Sequence, residues 1–153
     1  LPDTPPGERE ALGRSWLSHN GFEHEEQDRL NAEVFGVLND PAYAFLFSAG
    51  SRAEVQIMGT LTVSGEERGV SGVIDRIAET EQEVVIVDYK TGRPPDYGIP
   101  EVSIFQLALY GALVERLYPD RPVRTLILYT RGPLIREVSS DDREKALAVL
   151  AKD

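Results

Sequence analysis

The chain has no cysteine, which excludes a disulfide framework, thiolate-bound zinc and any iron-sulfur cluster held by cysteine. No apolar run approaches the roughly 18 residues needed to cross a bilayer, and no charged-then-apolar leader is present. A Gly-x-x-x-x-Gly-Lys-Ser/Thr loop is missing, so ATP is not bound that way. Gly-x-Ser-x-Gly and His-Glu-x-x-His are missing too, which disfavours a serine hydrolase or a zincin. Internal repeats and low-complexity tracts are also lacking. Positive charge is scarce: 16 basic against 26 acidic side chains leave a net charge of −10, which argues against a free-standing nucleic-acid binder. What remains is ordinary for a globular chain, with 41% hydrophobic and 27% charged residues in 153. That length suits one domain with a real core. The chain begins at Leu1 rather than Met and is expected to be a piece of something longer or a processed product.

After a proline-rich lead-in over 1–7, residues 8–18 carry a partial apolar stripe of Ala11, Leu12 and Trp16 and predict a helix stopped by Asn20-Gly21. A second helix is predicted over 24–38, with Leu30, Val34, Val37 and Leu38 on one side, ended by Asn39-Asp40-Pro41. Residues 45–49 read as a short apolar connection. The period then changes to that of strands: 53–63, a turn over 64–69, 70–78, a polar turn around Glu81, and 83–89, forming a three-strand meander. A proline- and glycine-rich loop over 92–100 leads to a helix over 101–118, ended before Pro119. A strongly apolar strand over 123–130, a turn at 131–133 and an edge strand over 134–138 follow. Ser140 is the expected cap of a last helix reaching Ala151, with Glu144 near its first turn.

The most informative stretch is Val85-Ile86-Val87-Asp88-Tyr89-Lys90-Thr91-Gly92. Alternate residues of a strand share a face, so Asp88 and Lys90 project to the same side, with Cα atoms roughly 7 Å apart. Asp75 lies thirteen residues earlier in a second apolar strand, and a short antiparallel hairpin would bring it beside Asp88. Two carboxylates and a lysine at one sheet end are the minimal set for metal-assisted hydrolysis of a phosphodiester. Each residue also has a plainer reading. Asp75, expected on a buried face beside Val73 and Ile77, costs several kcal/mol unless partnered, and solvent or Arg76 would serve. Asp88 could be a strand-ending turn former and Lys90 a surface lysine. Arg76 and Arg93 flank the acids and could meet phosphates, or be merely solvated. His19 and His24 fall in the helical region.

An acid in one strand followed by acid-x-Lys in the next resembles the PD-(D/E)XK nuclease superfamily. Asp-Tyr-Lys-Thr-Gly followed by Gln106-x-x-x-Tyr110 resembles its RecB-like branch. Within that branch, Leu38-Asn39-Asp40-Pro41, Phe45-Leu46-Phe47, Ala53-Glu54-Val55 and Gly59-Thr60-Leu61 resemble the carboxy-terminal nuclease domain of AddA-type helicase-nuclease subunits, from about residue 1 to about residue 138. The resemblance implies an α/β fold with a restriction-endonuclease-like core of helix, three-stranded meander, helix and strand. One domain would span 1–153, with a helical amino-terminal part over 1–50 and the sheet core over 51–153, forming the carboxy-terminal piece of a larger bacterial, cytoplasmic helicase-nuclease of double-strand break repair.

It further implies a magnesium-dependent deoxyribonuclease, an exonuclease in which manganese can replace magnesium, with no iron-sulfur cluster. The metal ligands would be Asp75, Asp88 and the main-chain carbonyl of Tyr89, with Lys90 acting on the attacking water. Gln106 and Tyr110, on one helix face with Leu113 and Leu117, would reach the active site or the DNA backbone; a capping or sheet-edge contact is the alternative. Glu54 would be an active-site acid or a solvated strand end. The branch's motif histidine lies on a helix before the region matching residue 1, which leaves the metal site one ligand short. The implied partners are DNA, as single strands fed by a helicase in the same polypeptide, and an AddB-like second subunit. A stand-alone repair nuclease of the same fold is the runner-up, and a catalytically silent module that docks a partner or holds a strand is the reading from another class.

Overall fold

The computed structural model describes residues 1–2, 4–63 and 65–150. Two helices, α1 (Pro6–His19) and α2 (His24–Leu38), precede a 3₁₀ helix over Pro41–Phe47. Then come β1 (Ser51–Val63), β2 (Glu66–Glu79), β3 (Val84–Lys90), α3 (Glu101–Leu117), β4 (Val123–Tyr129), β5 (Leu134–Val138) and α4 (Ser140–Leu150). The five strands form one sheet in chain order. β1, β2 and β3 pair antiparallel, α3 carries the chain over to a parallel β3–β4 pair, and β5 returns antiparallel at the edge. This is the mixed α/β, restriction-endonuclease-like arrangement expected above.

Several elements differ from the sequence reading. β2 begins at Glu66, inside the stretch expected to be turn, because cross-strand pairing with β1 carries polar residues that lack a strand pattern of their own. Ser64 of that turn lies outside the described residues, as does Ala151. Residues 45–47 of the expected apolar connection belong to the 3₁₀ helix, whose start is fixed by the Asp40 side chain accepting from the Ala42 N–H at 2.9 Å. The cap of α4 is Ser139, not Ser140: its hydroxyl accepts from the Asp142 N–H at 3.1 Å while the Asp142 carboxylate accepts the same hydroxyl's proton at 2.7 Å. The acids of that first turn are Asp141 and Asp142.

β3 is apolar from Val84 to Val87 because both its faces are covered. On one face Ile77, Val84, Ile86 and Ile127 pack under Leu107, Leu113 and Val114 of α3. On the other, Ala78, Val85, Val87, Leu126 and Leu128 pack against Val37 of α2 and Leu46 of the 3₁₀ helix. Each buried valine, leucine or isoleucine contributes about 1.5–3 kcal/mol by leaving water, so β3 and β4 form the rigid centre that carries whatever stands at their carboxyl ends.

The alternation of β2 slips by one residue at Asp75. Ile77 and Ile74 both lie in the core beneath α3, although strict alternation would put them on opposite faces. Val73, expected beside Ile77, is 46% exposed. The partner strand breaks at the same level. The register runs Ala53 to Arg76 and then Val55 to Ile74, leaving Glu54 and Asp75 opposite each other and unpaired, and Glu54 takes a left-handed φ of 52°. Below the slip, β1 and β2 run close to α3. A Cβ on Gly72 would meet the Tyr110 hydroxyl at 2.0 Å and one on Gly59 the Leu113 side chain at 2.8 Å.

A left-handed backbone costs an L-residue about 1–2 kcal/mol, and a β-branched one more. Glu54→Gly should therefore leave the melting temperature unchanged or raise it, whereas Glu54→Val should lower it. Thermal unfolding of the two variants checks this.

Candidate active site

Asp75, Asp88 and Lys90 meet where β2 stops pairing with β3. The ladder's last pair is Arg76 with Val87, and one step further Asp75 stands opposite Asp88. The Asp75 carboxylate takes over the role of the ladder: its Oδ2 accepts from the Tyr89 N–H at 2.8 Å. The partner that a half-buried aspartate requires is thus a backbone amide, and Arg76 is not it. Arg76 points through the opposite face, where it is 4% exposed, donates to the Tyr89 hydroxyl at 2.9 Å and to Ser51 Oγ at 2.8 Å, and lies over the Phe47 ring. It is a structural arginine on the side away from the acids.

In a strand, the N–H and C=O of one residue point the same way. The Lys90 carbonyl accepts from the Thr130 N–H on the β4 side at 3.0 Å. Tyr89, one residue earlier, therefore aims both its N–H and its carbonyl toward the end of β2, past the last ladder pair. That carbonyl and the two carboxylates open on the same gap.

Asp88 is 6% exposed. The Lys90 ammonium approaches its Oδ2 to 2.8 Å, a charge-assisted contact to an otherwise buried oxygen. Gln106 Nε2 reaches Asp88 Oδ1 at 3.5 Å, a long contact. Burial raises the Asp88 carboxyl above the usual carboxylate range; the adjacent Lys90 opposes this without cancelling it, and the charge of Asp75 adds to it. A buried carboxylate, beside a second carboxylate and a backbone carbonyl, is a donor set suited to a hard divalent cation. Among the described residues no three histidine, cysteine or acidic side chains gather as one metal-binding group, so the acids available at this point are two.

The remaining predicted residues are placed unevenly. Glu54 is across from Asp75 in register but exposed. Tyr110 lies against Gly72 rather than at the carboxylates, three residues down β2 from Asp75. Leu117, expected in the same buried arc of α3 as Gln106, is 69% exposed. His24 pairs with Asp28 at 3.3 Å on α2, and His19 ends α1. A residue that the sequence reading passed over is Tyr129. It pairs with Lys90 in the parallel register, shares the α3 face with it and is 4% exposed. At the end of an apolar strand it reads as core, and only the parallel pairing places it beside the lysine.

The matched family model covers residues 7–152 and describes the PD-(D/E)XK nuclease superfamily. The chain belongs to that superfamily. No curated protein matches it. Among solved structures, the crystal structure of SSO0001 is similar at 16% sequence identity and a TM-score of 0.45, over 84% of this chain and 67% of that one.

The raised Asp88 carboxyl gives a test of the site in the absence of metal. A folded-state pKa above the unfolded value means that stability is full below the ordinary carboxylate range and is lost as pH rises through the raised value. Asp88→Asn should therefore melt at a higher temperature than the parent at pH 7 in chelator, with the difference shrinking as pH falls toward 4. A gain of about 1 kcal/mol corresponds to about 2–4 °C in a chain of this size. Calorimetry across that pH range checks it.

Proposed function

We propose that this chain is a magnesium-dependent deoxyribonuclease domain, with Asp75, Asp88 and the Tyr89 carbonyl as metal ligands and Lys90 as the group that acts on the attacking water. Membership of a nuclease superfamily supports the class of activity. The observation that carries the residue assignment is the buried Asp88 carboxylate, with the Lys90 ammonium 2.8 Å from its Oδ2 and Asp75 opposite it just past the last β2–β3 pair. A bound magnesium or manganese ion would polarise the phosphodiester and ease deprotonation of water. The chain's own groups do the rest. Lys90, held by Asp88, orients the water and offsets charge on the phosphoryl oxygens as the P–O bond breaks. Asp75, fixed by the Tyr89 N–H, keeps its other oxygen turned to the gap. Gln106 restrains Asp88, and Tyr110 supports the α3–β2 contact rather than the reacting atoms.

Asp-Tyr-Lys-Thr-Gly followed by Gln-x-x-x-Tyr further supports a RecB-like setting, in which a helicase in the same polypeptide feeds single strands to this domain and an AddB-like subunit completes a bacterial repair machine. The net charge of −10 fits a domain that receives its strand by delivery rather than capture. The same charge favours a second reading, a catalytically silent module of the same fold. Magnesium discriminates the two: it should raise the melting temperature of the parent and leave Asp88→Asn unmoved, while a silent module should show no metal response.

Lys90→Ala and Asp88→Asn should each lower magnesium-dependent cleavage of a labelled single strand by about 10²-fold or more while the fold, followed by circular dichroism, is kept. Cleavage that persists in both variants would remove these residues from the mechanism.

A further inference from the structure

In a chain this acidic, arginines are almost all committed. All but two of them donate a hydrogen bond or pair with a carboxylate among the described residues, for example Arg14 with Asp28, Arg124 with Glu137, Arg131 with Glu33 and Arg143 with Glu115. The two without such a contact are Arg93 and Arg136, both exposed, and the fold brings both to the acid-bearing end of the sheet.

Arg136 is placed there by register. Asp88 pairs with Ile127, and Ile127 with Arg136, so the three stand in one row across the sheet. Val138, two residues further along β5, is buried in the core beneath α3, so Arg136 projects from that same face. Its Cα is two strand spacings from that of Asp88, roughly 10 Å. Two rows further on, and facing the same way, stand Lys90, Tyr129 and Leu134. Arg93 is placed by the chain. The loop that follows Lys90 is held along the end of β4 by the Thr130 N–H donating to the Lys90 carbonyl and the Arg131 N–H donating to the Gly92 carbonyl, each at 3.0 Å. The next residue, Arg93, therefore begins beside the end of β4, on the side of Lys90 away from β2. Tyr129, beside Lys90 in β4, carries a hydroxyl that has no hydrogen-bond partner among the described residues. Burial raises its pKa, Asp88 and Tyr97 add to this, and Lys90 and Arg136 oppose it, so the phenol lies within electrostatic reach of both cations and of the Asp88 carboxylate.

Resting on the nuclease reading above, we propose that Arg136, Arg93 and Tyr129 form a phosphate track that holds a nucleic-acid strand across the open β5 edge, next to the Asp75–Asp88–Lys90 site. The two guanidiniums take phosphates flanking the one to be cleaved, and the phenol donates to a backbone oxygen. A guanidinium suits this because its planar donor fork matches two phosphate oxygens. The track also explains how a chain of net charge −10 admits a polyanion at all. Arg93 and Arg136, which have no carboxylate partner among the described residues, put positive charge on the strand's path.

The test uses the intact chain carrying Asp88→Asn, to prevent cleavage, and a fluorescein-labelled oligothymidine read by anisotropy in magnesium over a series of salt concentrations. Arg136→Ala and Arg93→Ala should each weaken binding several-fold at low salt. Each should also reduce the slope of log affinity against log salt by about 0.7, the value of one phosphate contact on a single strand. Arg136→Lys should restore the slope. Tyr129→Phe should weaken binding with the slope unchanged, because a phenol carries no charge. Arg131→Ala, whose arginine is paired with Glu33, should change neither. Slopes that are the same in all variants, or no measurable binding by the Asp88→Asn chain, would overturn the track. Cleavage assays separate the two ideas. If Asp88→Asn alone abolishes cleavage while the arginine variants keep the slope, the nuclease reading stands and the track is wrong. Should Asp88→Asn cleave like the parent, the nuclease reading falls whatever the slopes show.

Discussion

The hydrogen bond from the Tyr89 N–H to the Asp75 carboxylate, at 2.8 Å, joins β2 to β3 beyond the last pair of their ladder. What makes it possible is the phase slip at Glu54 and Asp75. Had β2 kept strict alternation, Ile74 and Ile77 could not both be buried beneath α3, and Gly72 would not lie under Tyr110. The slip lets one long hairpin serve two packing schemes. Near Ile77 it belongs to the centre of the sheet, and from Ile74 onward it follows α3. The cost is a left-handed glutamate and one missing rung; the gain is a carboxylate turned sideways onto a backbone amide, at the point where a second carboxylate is already fixed by β3. A local irregularity in a strand is thus the feature that assembles the acids.

Electrostatics explains why those acids can remain there. Asp88 is buried beside another carboxylate, a placement that by itself favours the neutral form. Lys90 offsets part of that cost. Its stem is anchored in β3, whose buried core run leaves little freedom, so the ammonium is held at Asp88 rather than drawn to one of the many surface acids. Arg76, one rung away in the β2–β3 ladder, is kept on the opposite face by Tyr89, Ser51 and Phe47. The sheet therefore separates a structural arginine from the lysine paired with Asp88, although the two residues share one end of the hairpin.

Much of this was legible in the chain. The apolar run before Asp88 marks a strand buried on both faces, α2 is bounded by its stop signals, and the short connection around Glu81 predicts the antiparallel hairpin that sets Asp75 against Asp88. What could not be read depends on contacts distant in sequence. Nothing local marks Glu54 as left-handed, since that conformation is imposed by two strands packing on α3. The strand character of 66–69 comes from its partner. Arg76 looks like a flanking surface charge until the faces are known, and Tyr129 looks like core until the parallel pairing with Lys90 is seen. Ser139 and Ser140 are equivalent as caps in sequence, and the reciprocal bond with Asp142 decides between them. The two uncommitted arginines emerge only when the partners of all the others have been found.

The account stands on one arrangement: two carboxylates and the Tyr89 carbonyl converging on a single cation. Crystals of the chain soaked in manganese, with the ion located by its anomalous scattering, address this directly. The account predicts one ion bonded to both Asp75 and Asp88 and to the Tyr89 carbonyl oxygen, with magnesium at the same position at about 2.1 Å and Lys90 turned toward a water on that ion. An ion bound elsewhere, or Asp75 and Asp88 found on opposite faces of the sheet, would contradict it.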